Sequence, residues 1–75
     1  MGTDFVAIAN GHEEIPNPYA AYAPDGEWLP GYISVEFLQS NFGQYATASE
    51  MQAATDSEGL KLFFGWLADQ GQIEL

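Results

Sequence analysis

The sequence predicts an α+β domain, with a small N-terminal antiparallel sheet made of a strand plus a hairpin, and two to three C-terminal helices packed on one face. β-branched and aromatic residues fill residues 3–10, and a proline–glycine turn divides residues 19–29. After Ser34, apolar residues recur at helical spacing. The 75 residues contain no linker or internal repeat, so we expect a single small acidic domain over residues 1–75.

The first predicted strand covers residues 3–10 and carries apolar side chains on both faces. It stops at Asn10-Gly11, a dipeptide typical of tight turns. Residues 11–18 contain two prolines, which lack a backbone N–H and restrict the residue before them. This stretch is therefore expected to be irregular.

A hairpin is predicted around Pro24-Asp25-Gly26, because proline presets φ for a turn and glycine accepts a positive φ. Its strands would be residues 19–23 and 27–29, with Pro30-Gly31 ending the second one. At the other end of the chain, residues 72–75 alternate polar and apolar and would add a final edge strand.

Two short helices are predicted from capping residues and apolar spacing. Ser34 can cap a helix that buries residues three to four apart and closes at Gly43. The buried residues of this helix would be Val35, Leu38 and Phe42. Next along the chain, Thr47 and Glu50 have the spacing of a capping box and predict a helix of about two turns.

The strongest local pattern predicts a long helix within residues 55–71. Thr55 or Asp56 would be its N-cap, with Glu58 in a capping-box position after Thr55, and Gly71 would end it. One stripe of the helix is apolar at the spacing i, i+3, i+4, i+7. Its residues are Leu60, Phe63, Phe64 and Leu67. Leu62 and Trp66 form a second apolar row. This row is either further core or, if Trp66 is exposed, the place where Trp66 anchors an interface.

Charge is the unusual property of the composition. Eleven acids face one base, Lys61, yet the charged fraction of 16% lies below the usual value of about 25%. The imbalance therefore comes from missing Lys and Arg. A surface with this charge repels nucleic acid and anionic membranes, and it attracts basic surfaces on other proteins. We expect no direct nucleic-acid binding and no membrane binding.

The sequence carries no cysteine. Its N-terminus has neither the basic region nor the long apolar stretch that are typical of a signal peptide. These features predict a cytoplasmic protein; for a phage-encoded protein, this would be the cytoplasm of the host.

Candidate catalytic residues are sparse. His12 is the only histidine, and without cysteine a zinc site would have to be mostly carboxylate. No glycine-rich phosphate loop and no serine-nucleophile motif is present. We therefore predict no enzyme, no cofactor and no metal. An enzyme is the third hypothesis, and it would need a concave pocket that holds converging carboxylates.

The main functional hypothesis is a small inhibitor that occupies the basic nucleic-acid-binding groove of a host defence or DNA-processing enzyme. Its carboxylates would stand where DNA phosphates bind, as in an anti-CRISPR or anti-restriction protein of a phage. The predicted partner-binding acids are Glu13, Glu14, Glu50, Asp56, Glu58 and Asp69. The simpler interpretation is that these acids only keep the protein in solution and favour the helix dipoles.

The alternative hypothesis is a structural or adaptor module, monomeric or homodimeric, that binds a partner or itself through an aromatic helix face. Its binding residues would be Trp28, Leu62 and Trp66. Mimicry predicts acids clustered on one face and binding that weakens with salt, whereas the adaptor hypothesis predicts scattered acids and binding that resists salt.

Overall fold

The computed structural model describes residues 2–20 and 30–75. Within these residues the chain forms four helices and a two-stranded sheet, in the order α1, β1, β2, α2, α3, α4. The elements are α1 (Phe5–Ile8), β1 (Glu14–Pro16), β2 (Tyr32–Ser34), α2 (Val35–Phe42), α3 (Ala48–Ala54) and α4 (Glu58–Asp69). The α+β class is confirmed.

The predicted strand over residues 3–10 is wrong, because this segment contains the short helix α1. The carboxylate of Asp4 accepts hydrogen bonds from the N–H groups of Val6 and Ala7, at 3.0 and 3.3 Å, and so caps the helix. Phe5 and Ala9 are both buried. A spacing of four places two residues on the same side of either a strand or a helix, so the apolar pattern did not separate the two structures.

Asn10-Gly11 does form the predicted turn, since both residues have positive φ, 55° and 82°. It follows a helix, however, instead of ending a strand. Residues 11–18 are not irregular throughout, because Glu14–Pro16 form β1.

The sheet pairs β1 with β2 in antiparallel register, with Ile15 opposite Ile33 and Pro16 opposite Tyr32. Asn17 N–H donates to the carbonyl of Gly31 at 2.8 Å. Hydrogen-bonded positions alternate along an antiparallel strand, so Pro16, next to Asn17, occupies a position whose N–H would point away from β2. A proline is therefore tolerated in this strand.

The predicted hairpin, with strands at residues 19–23 and 27–29, lies almost entirely outside the described residues. The predicted C-terminal edge strand is replaced by a single parallel bridge between Thr47 and Glu74. Here the N–H groups of Ala48 and Ser49 donate to the carbonyls of Glu74 and Leu75, at 2.7 and 3.0 Å. The C-terminal segment thus satisfies the free N–H groups at the start of α3.

Helices α2 and α3 begin at the predicted caps. The hydroxyl of Ser34 accepts from Phe37 N–H at 3.5 Å, and the hydroxyl of Thr47 accepts from Glu50 N–H at 3.2 Å. α2 closes at Gly43 as predicted. The signals for both helices lie within one turn of chain, so the local sequence determines their ends.

Helix α4 begins later than predicted, with Ser57 as its N-cap in place of Thr55 or Asp56. The hydroxyl of Ser57 accepts from Leu60 N–H at 3.1 Å. Thr55 instead caps the end of α3, and its hydroxyl accepts from Ser57 N–H at 3.1 Å. Gly71 ends α4 as predicted, with a φ of 76°.

The core lies between the inner face of the sheet, formed by Ile15 and Ile33, and the four helices. The predicted apolar stripe of α4 is buried in full. Aromatic rings pack against one another in this core. The ring centroids of Phe42 and Phe64 are 4.8 Å apart, and those of Phe63 and Phe64 are 5.8 Å apart. The side chains on the outer face of the sheet, among them Glu14 and Tyr32, are exposed.

Candidate functional site

The acids of the described residues all lie on the surface. Of the eleven acids in the chain, Asp25 and Glu27 lie outside the described residues, and each of the other nine is exposed. Lys61 is paired with Glu58, its Nζ atom lying 3.3 Å from a carboxylate oxygen, and this is the one ion pair within the described ranges. Most of these carboxylates are therefore not neutralised by a neighbouring base.

Three carboxylates line an open cleft of about 740 Å³ between the chain leading into β1 and the first turn of α2. We call this the acidic cleft; its acids are Glu13, Glu14 and Glu36. The two sides are joined by a 2.8 Å hydrogen bond from Val35 N–H to the carbonyl of Glu13. His12 lies along the same cleft. Sheet pairing thus brings together acids that are more than twenty residues apart in the chain.

An apolar groove of about 460 Å³ adjoins the acidic cleft. Tyr32 and Phe37 line it and are 58% and 43% exposed. Leu60 of α4 lines the same groove. Glu14 and Ser34 line both the cleft and the groove, so the two form one continuous surface at the junction of β2 and α2.

The acids predicted from the helical half have separate positions. Glu50 lies in the first turn of α3, where its carboxylate accepts from the Thr47 hydroxyl at 3.2 Å. Asp56 lies in the connection between α3 and α4. Glu58 and Asp69 stand at opposite ends of α4, about 16 Å apart along the helix axis at a rise of about 1.5 Å per residue. These two acids therefore do not form one compact cluster.

Local structure accounts for some of these acids but not for all. Glu50 and Glu58 lie in first helical turns, where a negative charge is favourable. Asp69 lies in the last turn of α4, which contains no base, and a negative charge there opposes the helix dipole by about 0.3–1 kcal/mol. Asp69 and the two acids at β1 thus have no stabilising role in a helix.

The three residues of the adaptor hypothesis differ in how far the structure describes and exposes them. Trp28 lies outside the described residues. Leu62 is 41% exposed, whereas Trp66 is half-buried and packs against the core, its ring centroid 6.0 Å from that of Phe63. The second apolar row of α4 is therefore divided between surface and core.

Glu36, Tyr32 and Phe37 were not predicted as members of the site. A signal for two of them was present, because the buried stripe of α2 is set by Val35 and Leu38. Glu36 and Phe37 lie off that stripe by about 100° or more at 3.6 residues per turn. Tyr32 had no comparable signal, since the partner strand β1 was not predicted.

Two further properties of the described residues bear on the site. Across residues 2–20 and 30–75, no three or more His, Asp or Glu side chains are grouped so that they would hold a metal ion. In the same ranges, no helix has both the length and the apolar character needed to cross a bilayer.

Comparison with known proteins gave no family. The chain matches no family model, no curated protein and no solved structure.

Proposed function

We propose that this protein is a small acidic inhibitor that acts by protein–protein binding and occupies the basic nucleic-acid-binding groove of a host defence or DNA-processing enzyme. The observation that carries the proposal is the exposure of every described acid, with a single ion pair, between Lys61 and Glu58, across residues 2–20 and 30–75. With a formal charge of −10 on 75 residues, the surface offers carboxylates to a basic partner.

Electrostatics favours this function over others. A negative surface accelerates the encounter with a positive groove and repels nucleic acid itself. Carboxylates in such a groove would replace phosphates as partners of Lys and Arg. Binding of this kind weakens as salt rises, because exposed charges are screened within about 10 Å at 0.1 M salt.

The second candidate function is the adaptor module, and the exposure of Leu62 at 41% is the observation in its favour. An apolar anchor on α4 would bind through buried area, so the complex would persist at high salt. The positions of the acids favour neither candidate alone, because three acids share the acidic cleft whereas Glu58 and Asp69 lie apart on α4. Salt dependence is therefore the property that separates the two candidates.

The test is capture of a partner from bacterial lysate with the tagged protein, washed in parallel at low and high salt. We expect a nucleic-acid-binding protein that is retained at low salt and lost at high salt. A variant with six exposed acids changed to amides should lose it at low salt; its substitutions are Glu14→Gln, Glu36→Gln, Glu50→Gln, Asp56→Asn, Glu58→Gln and Asp69→Asn.

Leu62→Ala is the matched control on the same helical half, and it should retain the partner. A partner that survives high salt and the acid substitutions, but is lost with Leu62→Ala or Trp66→Ala, would contradict the inhibitor proposal and support the adaptor.

A further inference from the structure

The junction of β2 and α2 combines two chemical features on one surface. Tyr32 and Phe37 are exposed by 58% and 43%, large values for aromatic side chains. Phe37 is nevertheless held in place, because its ring lies edge-on to Phe42 at a centroid distance of 5.9 Å. An aromatic group held in this way has little conformational freedom to lose when a partner binds.

Carboxylates share this surface with the two rings. Glu14 pairs with Ser34 across the sheet, so Tyr32 is its diagonal neighbour, a separation that long and aromatic side chains can bridge. A hollow of about 550 Å³ on the outer face of the sheet is lined by Glu13, Glu14 and Tyr32 together. Glu14 also lines the apolar groove together with Tyr32 and Phe37, and it lines the acidic cleft together with Glu36.

The negative charge of this surface determines which kind of partner can bind to it. A second copy of the chain would bring another ten negative charges toward the rim at Glu14, and nucleic acid would be repelled for the same reason. A cationic polypeptide segment is complementary to it. Arginine fits better than lysine, because its planar guanidinium stacks on aromatic rings and pairs with a carboxylate through two parallel hydrogen bonds.

We propose that the surface formed by Glu14, Tyr32, Glu36 and Phe37 binds an arginine-rich segment of the protein partner. The guanidinium groups lie on the two rings, and their N–H groups donate to the two carboxylates. This inference rests on the proposed function, and it identifies which of the exposed acids contact the partner and through which side chain.

The test uses the full chain with two synthetic probes, an oligo-arginine peptide and an oligo-lysine peptide of equal length. Backbone amide shifts in ¹⁵N-edited NMR spectra locate the binding site at low ionic strength. We expect the largest shifts with oligo-arginine at the four surface residues, and weaker binding of oligo-lysine. Shifts centred on Asp56, Glu58 or Asp69, equal affinity for both peptides, or no binding would overturn the inference.

Variants separate the rings from the charges. Tyr32→Ala and Phe37→Ala should each weaken oligo-arginine binding about two- to fivefold, the equivalent of about 0.5–1 kcal/mol for an exposed cation–π contact, and change oligo-lysine binding less. Glu14→Gln with Glu36→Gln should weaken binding of both peptides. The matched control, Asp56→Asn with Asp69→Asn, has the same charge change and should retain most of the affinity.

These outcomes are distinct from the test of the proposed function. If the control pair abolishes peptide binding and the Glu14 and Glu36 pair does not, the inference is wrong. The salt-sensitive capture of a nucleic-acid-binding partner can still succeed in that case.

Discussion

Different kinds of interaction stabilise the N-terminal region, residues 2–20, and the helical region, residues 34–75. In the helical region the residue directly before each helix caps it, and its side chain accepts a hydrogen bond from the N–H three residues further on. The N-terminal region also has a local cap, Asp4 at α1, but the contacts that attach this region to the rest of the fold come from distant residues. The side-chain oxygen of Gln39 accepts from Phe5 N–H at 2.8 Å, and Thr3 N–H donates to the carbonyl of Gly43 at 3.0 Å.

The same division applies to the acids. Glu50 and Glu58 take part in local helix structure, through the capping interaction with Thr47 and the ion pair with Lys61. Glu13 and Glu14 reach the acidic cleft only because β1 pairs with β2. Glu13 and Glu14, which have no such role in a helix, are thus brought to Glu36 by tertiary structure.

The largest expected effect concerns the aromatic core of the helical region. Phe64→Ala should lower the free energy of unfolding by about 3–5 kcal/mol, since it removes a fully buried ring that packs on Phe42 and Phe63. A domain of this size has a total stability of roughly 4–11 kcal/mol, so the variant should unfold at a much lower urea concentration than the parent protein. Urea titration followed by circular dichroism measures this.

Leu62→Ala on the same helix is the control and should cost less than about 1 kcal/mol, because Leu62 is substantially exposed. Similar costs for the two substitutions would mean that the packing of α4 has been assigned to the wrong face.

The next effect tests the long-range attachment of the N-terminal region. Gln39→Ala removes the hydrogen bond to Phe5 N–H and a second one, at 3.3 Å, to the carbonyl of Thr3. At about 1 kcal/mol for each bond, the loss of stability should be about 1–2 kcal/mol. Hydrogen exchange should show faster exchange of the Phe5 amide, while the amides in the middle of α4 keep their protection.

The matched control is Asn41→Ala, which removes a hydrogen bond made only within α2, to the carbonyl of Phe37. It should change stability by no more than about 0.5 kcal/mol. If Asn41→Ala exposes the Phe5 amide as much as Gln39→Ala does, the attachment does not depend on Gln39.

A smaller effect is expected at the cap of α1. Asp4→Ala should cost about 1 kcal/mol, because two N–H groups lose their acceptor, whereas Asp4→Asn keeps an acceptor oxygen and should cost less than half as much. Thermal unfolding of both variants separates capping from charge. Equal losses for the two would show that the charge of Asp4, and not the cap, stabilises this helix.

The smallest effect is that of salt on the folded protein. A formal charge of −10 causes self-repulsion, so raising the ionic strength should increase the melting temperature slightly. A variant with Glu13→Gln, Glu14→Gln and Glu36→Gln should respond less to salt than the parent protein does. A melting temperature that falls with salt in both proteins would argue against repulsion within the acidic cleft.

Local sequence was sufficient for α2, α3 and most of α4, since caps and apolar spacing lie within a few residues of one another. It was insufficient for α1, where Phe5 and Ala9 fit a strand or a helix equally well. It also missed β1 and β2, because these strands are only three residues long and the tolerance of Pro16 depends on its place in the hydrogen-bond ladder between them.

The candidate site follows the same rule. Glu13 and Glu14 were selected as a cluster from the sequence, but their position beside Glu36, Tyr32 and Phe37 depends on strand pairing and could not be predicted from local spacing.

The most direct test of the proposed function is competition between this protein and DNA for the captured partner. Duplex DNA is titrated into the preformed complex, and the release of the protein is followed by fluorescence anisotropy of a dye-labelled chain. We expect full release, with a midpoint that moves to higher DNA concentration as more of the acidic protein is present. A stable ternary complex, with DNA and the acidic protein bound to the partner at once, would contradict occupation of the nucleic-acid groove.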